Sequence, residues 1–168
     1  MVLIDTFAWV RVADCRDGPK QYQSTMDIAQ RMPHHFAMKS IKDGAGNAPP
    51  LLSVVDDDES MRESLPDLIR EFGFGARAFS SAEEFLSSDS LHETSCLILD
   101  IAMPGMSGPE LYQELKHRGE NIPTIFITAQ KDDAIRARVF ELGASGFLLK
   151  PFSDAALLAA IETALKAN

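Results

Sequence analysis

The chain has 168 residues, of which 45% are hydrophobic and 24% charged, with a formal net charge of −9. That length suits about one domain of ordinary size, and the balance is globular rather than disordered. Residues 1–50 hold six Lys/Arg and five Asp/Glu, whereas residues 51–168 hold ten and twenty, so the acidic second part argues against direct DNA binding.

The N-terminal stretch MVLIDTFAWVRV lacks a basic leader and is interrupted by Asp5, which makes it a poor secretory signal. Residues 1–41 carry no sustained periodicity; a short strand or helix over 2–12 and a weak helix over 20–31 both fit. His34 and His35 in this stretch read as part of a polar tail rather than a metal site. KDGAGNAPP, residues 42–50, is rich in Gly, Ala, Asn and Pro and reads as a linker. The expectation is a flexible, irregular N-terminal extension over 1–50 followed by a folded domain over 51–168. Met38 offers an alternative start, which would leave residues 1–37 outside the natural protein.

LLSVV (51–55) is a short apolar strand running into Asp56, Asp57 and Asp58. Residues 59–72 then place Met61, Leu65, Leu68, Ile69 and Phe72 on one helical stripe. Pro66 lies well inside that helix, removes an N–H, and should kink or loosen it. Gly73 and Gly75 mark the helix end and turn, and ARAFS (76–80) is the second strand. Ser81 opens SAEEFL as a capping box with Glu84. CLILD (96–100) is a fully apolar strand ending in Asp100, with Cys96 as a small buried hydrophobe. Ser107 and Glu110 form a second capping box before the helix ELYQELKHR. IPTIFIT (122–128) is the fourth strand and ends at Thr128. A helix over 132–142 carries Ile135, Val139 and Leu142 on one face and stops at Gly143. SGFLL (145–149) is the fifth strand, followed by Lys150 and Pro151. Ser153 caps a last helix with Leu157, Leu158, Ile161 and Leu165 on one face.

Strand followed by helix, five times over, predicts an α/β fold: a doubly wound five-stranded parallel sheet covered on both faces. In such sheets ligands bind beyond the carboxyl ends of the strands. Asp56 and Asp57 stand at the end of the first strand, Asp100 at the third, Thr128 at the fourth and Lys150 at the fifth. Two carboxylates about 4 Å apart repel by roughly 4 kcal/mol at an effective dielectric near 20. A divalent cation offsets that repulsion, and a hard oxygen site of this kind suits Mg²⁺. Asp58 reads as the cap of the first helix. No paired-cysteine metal motif and no Walker-type phosphate loop is present. No run reaches the roughly 18 apolar residues of a membrane helix, and a cytoplasmic protein is expected.

The stretches VVDDDES, LILDIAMPGMSG, IPTIFITAQ and GASGFLLKPF together resemble the receiver domain of bacterial two-component response regulators, in detail the FixJ-type branch. The resemblance covers about residues 51–167 and implies a flavodoxin-like receiver fold. It implies that Asp100 is the phosphoacceptor, taking a phosphoryl group from a kinase histidine. Asp57, Asp100 and the backbone carbonyl of Ala102 would bind Mg²⁺ directly, and Asp56 would act largely through water. Lys150 would pair with the phosphoryl oxygens across a cis Lys150–Pro151 bond, and Thr128 would hydrogen-bond the phosphoryl group. Phe147 would turn inward when Thr128 moves. Ala102 and Gln130 flank the phosphate where family members tune hydrolysis, and neither is charged.

The resemblance implies a signalling switch rather than an enzyme. Its partners would be a sensor histidine kinase or histidine phosphotransfer protein, a downstream protein, and a second copy through the fourth helix, fifth strand and fifth helix. The chain ends just after the fifth helix, so a single-domain regulator is expected. A haloacid-dehalogenase-like phosphatase would need a second acid where Ala102 stands. A receiver-like interaction module that takes no phosphate usually loses an acid or the lysine, and all are retained here.

Overall fold

A computed structural model of the chain describes residues 48–166. The expectations for residues 1–47, including the weak elements over 2–12 and 20–31, His34, His35 and the alternative start at Met38, lie outside the described residues. The elements in chain order are β1 (Leu51–Val55), α1 (Glu59–Glu71), β2 (Gly75–Phe79), α2 (Ala82–Leu86), a 3-10 helix (Asp89–Glu93), β3 (Thr94–Asp100), α3 (Gly108–His117), β4 (Thr124–Thr128), α4 (Asp133–Glu141), β5 (Gly146–Leu149) and α5 (Asp154–Lys166). The strands form one sheet in the order β2-β1-β3-β4-β5, and every pairing is parallel.

Alternation along the strands sorts the apolar side chains into two cores. Leu52 and Val54 of β1, Cys96 and Ile98 of β3, and Ile125 and Ile127 of β4 pack with Leu65 and Ile69 of α1 and Leu157 and Ile161 of α5. Val55, Leu97, Leu99 and Phe126 point the other way, toward Phe85 of α2, Leu111 and Leu115 of α3 and Val139 of α4. Covered on both faces, the central strands have no reason to alternate with polar residues, which is why they read as continuous apolar runs. Ser53 is the exception inside β1. It is fully buried, and its hydroxyl lies 2.7 Å from that of Thr94, which in turn donates to the Ser90 carbonyl at 2.6 Å.

Several expected boundaries move. β3 begins at Thr94 rather than Cys96, and the 3-10 helix before it carries no sustained apolar stripe that would announce it. Pro66 lies inside α1, whose 13 residues run from Glu59 to Glu71. Pro66 is buried, as are Leu65 and Ile69 of the same helix. At α2, Ser81 Oγ accepts from the Glu84 N–H as expected, but Glu84 returns its bond one residue early, accepting from the N–H and hydroxyl of Ser80. At α3 the capping box forms, with Glu110 accepting from the Ser107 N–H at 2.9 Å and its hydroxyl at 2.6 Å.

The chain leaves β1 for β2 on one side and later returns to place β3 on the other. The β1/β3 junction is therefore the point where strand order reverses, and the two strands end there in Asp56 and Asp100.

Candidate functional site

Asp56 and Asp100 are carried by backbone that the sheet holds firmly. The Asp56 N–H donates to the Phe79 carbonyl at 3.2 Å, and the Ile101 N–H donates to the Ile127 carbonyl at 3.0 Å. Asp56 is 0% exposed and Asp100 5%. Lys150 follows β5, positioned by its own N–H, which donates to the Thr128 carbonyl at 2.7 Å; its peptide bond to Pro151 is cis. Its ammonium bridges the two acids, 2.7 Å from Asp56 Oδ2 and 2.7 Å from Asp100 Oδ1.

The remaining carboxylate oxygens are also satisfied. Asp56 Oδ1 accepts from the Asp58 N–H at 2.9 Å, and Asp100 Oδ2 accepts from the Ala102 N–H at 2.7 Å. Burial pushes the Asp56 carboxyl above the usual carboxylate range, more than the Lys150 ammonium and the Asp58 N–H pull it down. Burial also works against the Lys150 charge, yet hydrogen bonds to Asp100 and Asp56 outweigh it and hold the amine above its ordinary value. The group is an ion cluster of two buried, fully bonded carboxylates and a partly buried ammonium, whose stability depends on each charge keeping its partner.

Thr128, also buried, stands at the end of β4 with its hydroxyl accepting from the Gln130 N–H at 3.1 Å. Asp57 is exposed and makes no side-chain hydrogen bond among the described residues. Asp58 leaves the cluster to cap α1, accepting from the N–H and hydroxyl of Ser60 at 2.9 Å and 2.6 Å. Phe147 is half-buried in β5 and packs against the core on the α2, α3 and α4 side. The structure thus brings Asp56, Asp100 and Lys150 into contact, places Thr128 on the next strand end, and leaves Asp57 exposed and outside that hydrogen-bonded cluster. Among the described residues no three acidic, histidine or cysteine side chains gather as a ready metal cage.

Three residues that support the site were not singled out from the sequence. Arg62 of α1 donates to the Asp56 carbonyl at 3.0 Å, tying helix to strand end. Glu83 of α2 accepts from the Met106 N–H at 3.3 Å in the loop after Asp100. A Cβ on Gly108 would fall 2.2 Å from the Asp100 carbonyl oxygen, so only glycine lets α3 start this close to that strand end. The close approach of Gly108 is a tertiary fact; its place eight residues after Asp100 was the available hint.

Comparison with known proteins adds an independent line. The model of the response regulator receiver domain matches residues 52–162. Response regulator protein TodT of Pseudomonas putida is 40% identical over 116 residues, covering 69% of this chain and 51% of that protein. Transcriptional regulatory protein FixJ of Azorhizobium caulinodans is 39% identical over 112 residues, covering 67% of this chain and 53% of that protein. The solved structure of response regulator StyR aligns with TM-score 0.67 at 45% identity, covering 72% of this chain and 61% of that one. The chain spans about half the length of the curated relatives it matches.

Proposed function

The chain belongs to the response regulator receiver family of two-component systems, and on that premise we propose that it is a phosphoaccepting switch loaded at Asp100. The observation that carries this reading is the Lys150 ammonium shared between two buried carboxylates at the strand-order reversal. A carboxylate oxygen of Asp100 attacks the phosphorus of a phosphohistidine. The P–N bond breaks, its electron pair returns to the imidazole, and an aspartyl phosphate is left on Asp100. Lys150 already touches Asp100 Oδ1 and follows the charge onto the phosphoryl oxygens, which is most of what phosphoryl transfer asks of a protein. The Thr128 hydroxyl, which accepts from the Gln130 N–H, turns to donate its O–H to the phosphoryl group, and Phe147 moves into the space released.

Receiver domains generally bind Mg²⁺ at their acidic pocket. The donor set here fits: Asp56, Asp57 and Asp100 against Lys150 leave two uncompensated negative charges, and all the donors are hard oxygens. Asp57, Asp100 and the Ala102 carbonyl would hold the ion directly, with Asp56 acting through water. When bound, the ion neutralises charge on the transferring group.

The partners follow from this chemistry. The donor is a sensor histidine kinase or histidine phosphotransfer protein. The output face is built from α4, β5 and α5, where Phe140 is 44% and Leu149 38% exposed, and it suits a second copy of the chain. No helix among the described residues is long and apolar enough to cross a membrane.

The test is alkali- and hydroxylamine-labile labelling from a phosphorylated kinase or acetyl phosphate. Label is expected only with Mg²⁺, and none after Asp100→Asn. Label that survives Asp100→Asn, or that ignores EDTA, would remove Asp100 from the role. Asp57→Ala should lose Mg²⁺ binding while keeping the fold, and unchanged Mg²⁺ affinity would remove Asp57 from the ligand set.

A further inference from the structure

Arg136 sits on the exposed side of α4 with its guanidinium carbon 5.9 Å from the ring centroid of Phe140 and 5.9 Å from that of Phe147. The first contact is the ordinary i,i+4 neighbour on a helix. The second crosses from α4 to β5. Arg136, Phe147 and Leu149 line one groove together with Lys131, Asp132 and Asp133 at the start of α4. Among the described residues Arg136 forms no ion pair within 4 Å, even with Asp132 and Asp133 in the same groove, and its cation lies against the two rings. Phe147 meanwhile rests against the core on the side of Phe126 and Val139. The ring therefore has an apolar contact within and a cationic one without.

We propose that Arg136 latches Phe147 in this position and sets how much phosphate the switch needs. The proposal rests on the reading of Thr128 and Phe147 as the switch pair. A ring that turns inward leaves the guanidinium, and the guanidinium cannot follow, because an unpaired cation is costly in an apolar core. The contact exists in one arrangement and not in the other, so it biases the equilibrium by its whole strength. Exposed cation–π contacts correspond to about a two- to fivefold factor in such an equilibrium. Phosphate must overcome that factor before the edge rearranges.

The test uses the full chain with Mg²⁺ and beryllofluoride as the phosphoryl mimic, followed by NMR of the Phe147 ring and of the amides over 133–149. In Arg136→Ala the midpoint of the beryllofluoride response should fall about two- to fivefold relative to wild type. Arg136→Lys, which keeps the cation, should lie between them. In a Phe147→Ala background, Arg136→Ala should change nothing, a dependence that a merely structural role would not produce. A wild type that switches with the same midpoint as Arg136→Ala overturns the latch alone, as does an undiminished effect in the Phe147→Ala background. A wild type with no response overturns the switch reading and the latch with it.

Discussion

At the ends of β1 and β3, each oxygen of two buried carboxylates has a partner, and the strands that carry them are packed on both faces. At the far edge, α4 buries Val139 alone, and no residue of β5 is fully buried. Both regions serve one proposed reaction, yet they are packed to opposite extremes. Reacting groups must be held in place, which requires a rigid, satisfied shell. An element that rearranges must come from the part of the fold that opens at low cost. If the proposed switch operates, the contrast makes the sheet its fixed end and the α4/β5 edge its movable one.

The largest test of that contrast is a pair of core and edge truncations. Phe126→Ala, in the buried centre of β4, should cost about 3–5 kcal/mol in urea unfolding. Phe140→Ala on α4 should stay within about 0.5 kcal/mol. A cost above about 2 kcal/mol for Phe140→Ala would mean that the edge is as firmly built as the sheet. Native-state hydrogen exchange gives the same comparison without mutation. Amides of β3 and β4 should exchange only on global unfolding, and those of α4 at an opening free energy at least about 2 kcal/mol lower.

Lys150→Met should come next. It leaves Asp56 and Asp100 facing each other with no cation between them. Removing one partner of a buried pair costs about 3–5 kcal/mol, and the 18% exposure of the Lys150 side chain lowers the expectation to about 1–3 kcal/mol. Asp56 already has a raised pKa, so its contribution is fully present below 3.8 and is lost as pH rises through the folded value. The variant should therefore recover stability on acidification from neutral pH. A deficit that is the same at pH 5 and pH 8 would show that charge is not its cause. In the wild type, Lys150 contributes fully below 10.5, and that contribution disappears as pH rises through its raised value.

The smallest effects belong to the helix starts. Asp58, Glu84 and Glu110 are held below their ordinary values, chiefly by side-chain hydrogen bonds to Ser60, Ser80 and Ser107. Their contributions are present above 3.8 for Asp58 and 4.5 for the glutamates, and fade as pH falls through the depressed values. Asp58→Ala should lower the melting temperature slightly at pH 7 and not at pH 2. An equal loss at both would assign Asp58 a role other than capping.

Much of this was legible in the sequence, for a physical reason in each case. Strands covered on both faces must be apolar along their length, so LLSVV, CLILD and IPTIFIT announced the sheet before its order was known. Capping chemistry is local, so Ser107 with Glu110, and Asp58 as the cap of α1, could be read from the sequence. Pro66 lies inside α1, as its place in the sequence indicated. Glu84 bonded one residue from its expected partner because both neighbours are serines and only the turn geometry chooses between them.

Sequence alone determined which side chains could take part: three carboxylates, a hydroxyl and an ammonium, each just beyond an apolar run. Tertiary structure decided which of them meet. Asp56 and Lys150, 94 residues apart, are joined because β1 and β5 end on the same edge of the sheet. Asp57, next to Asp56 in the chain, stays exposed because consecutive side chains leave the backbone in different directions. The same reason hid Arg62, Gly108 and Arg136, since their partners are a strand end, a carbonyl oxygen and a ring that only folding brings within reach.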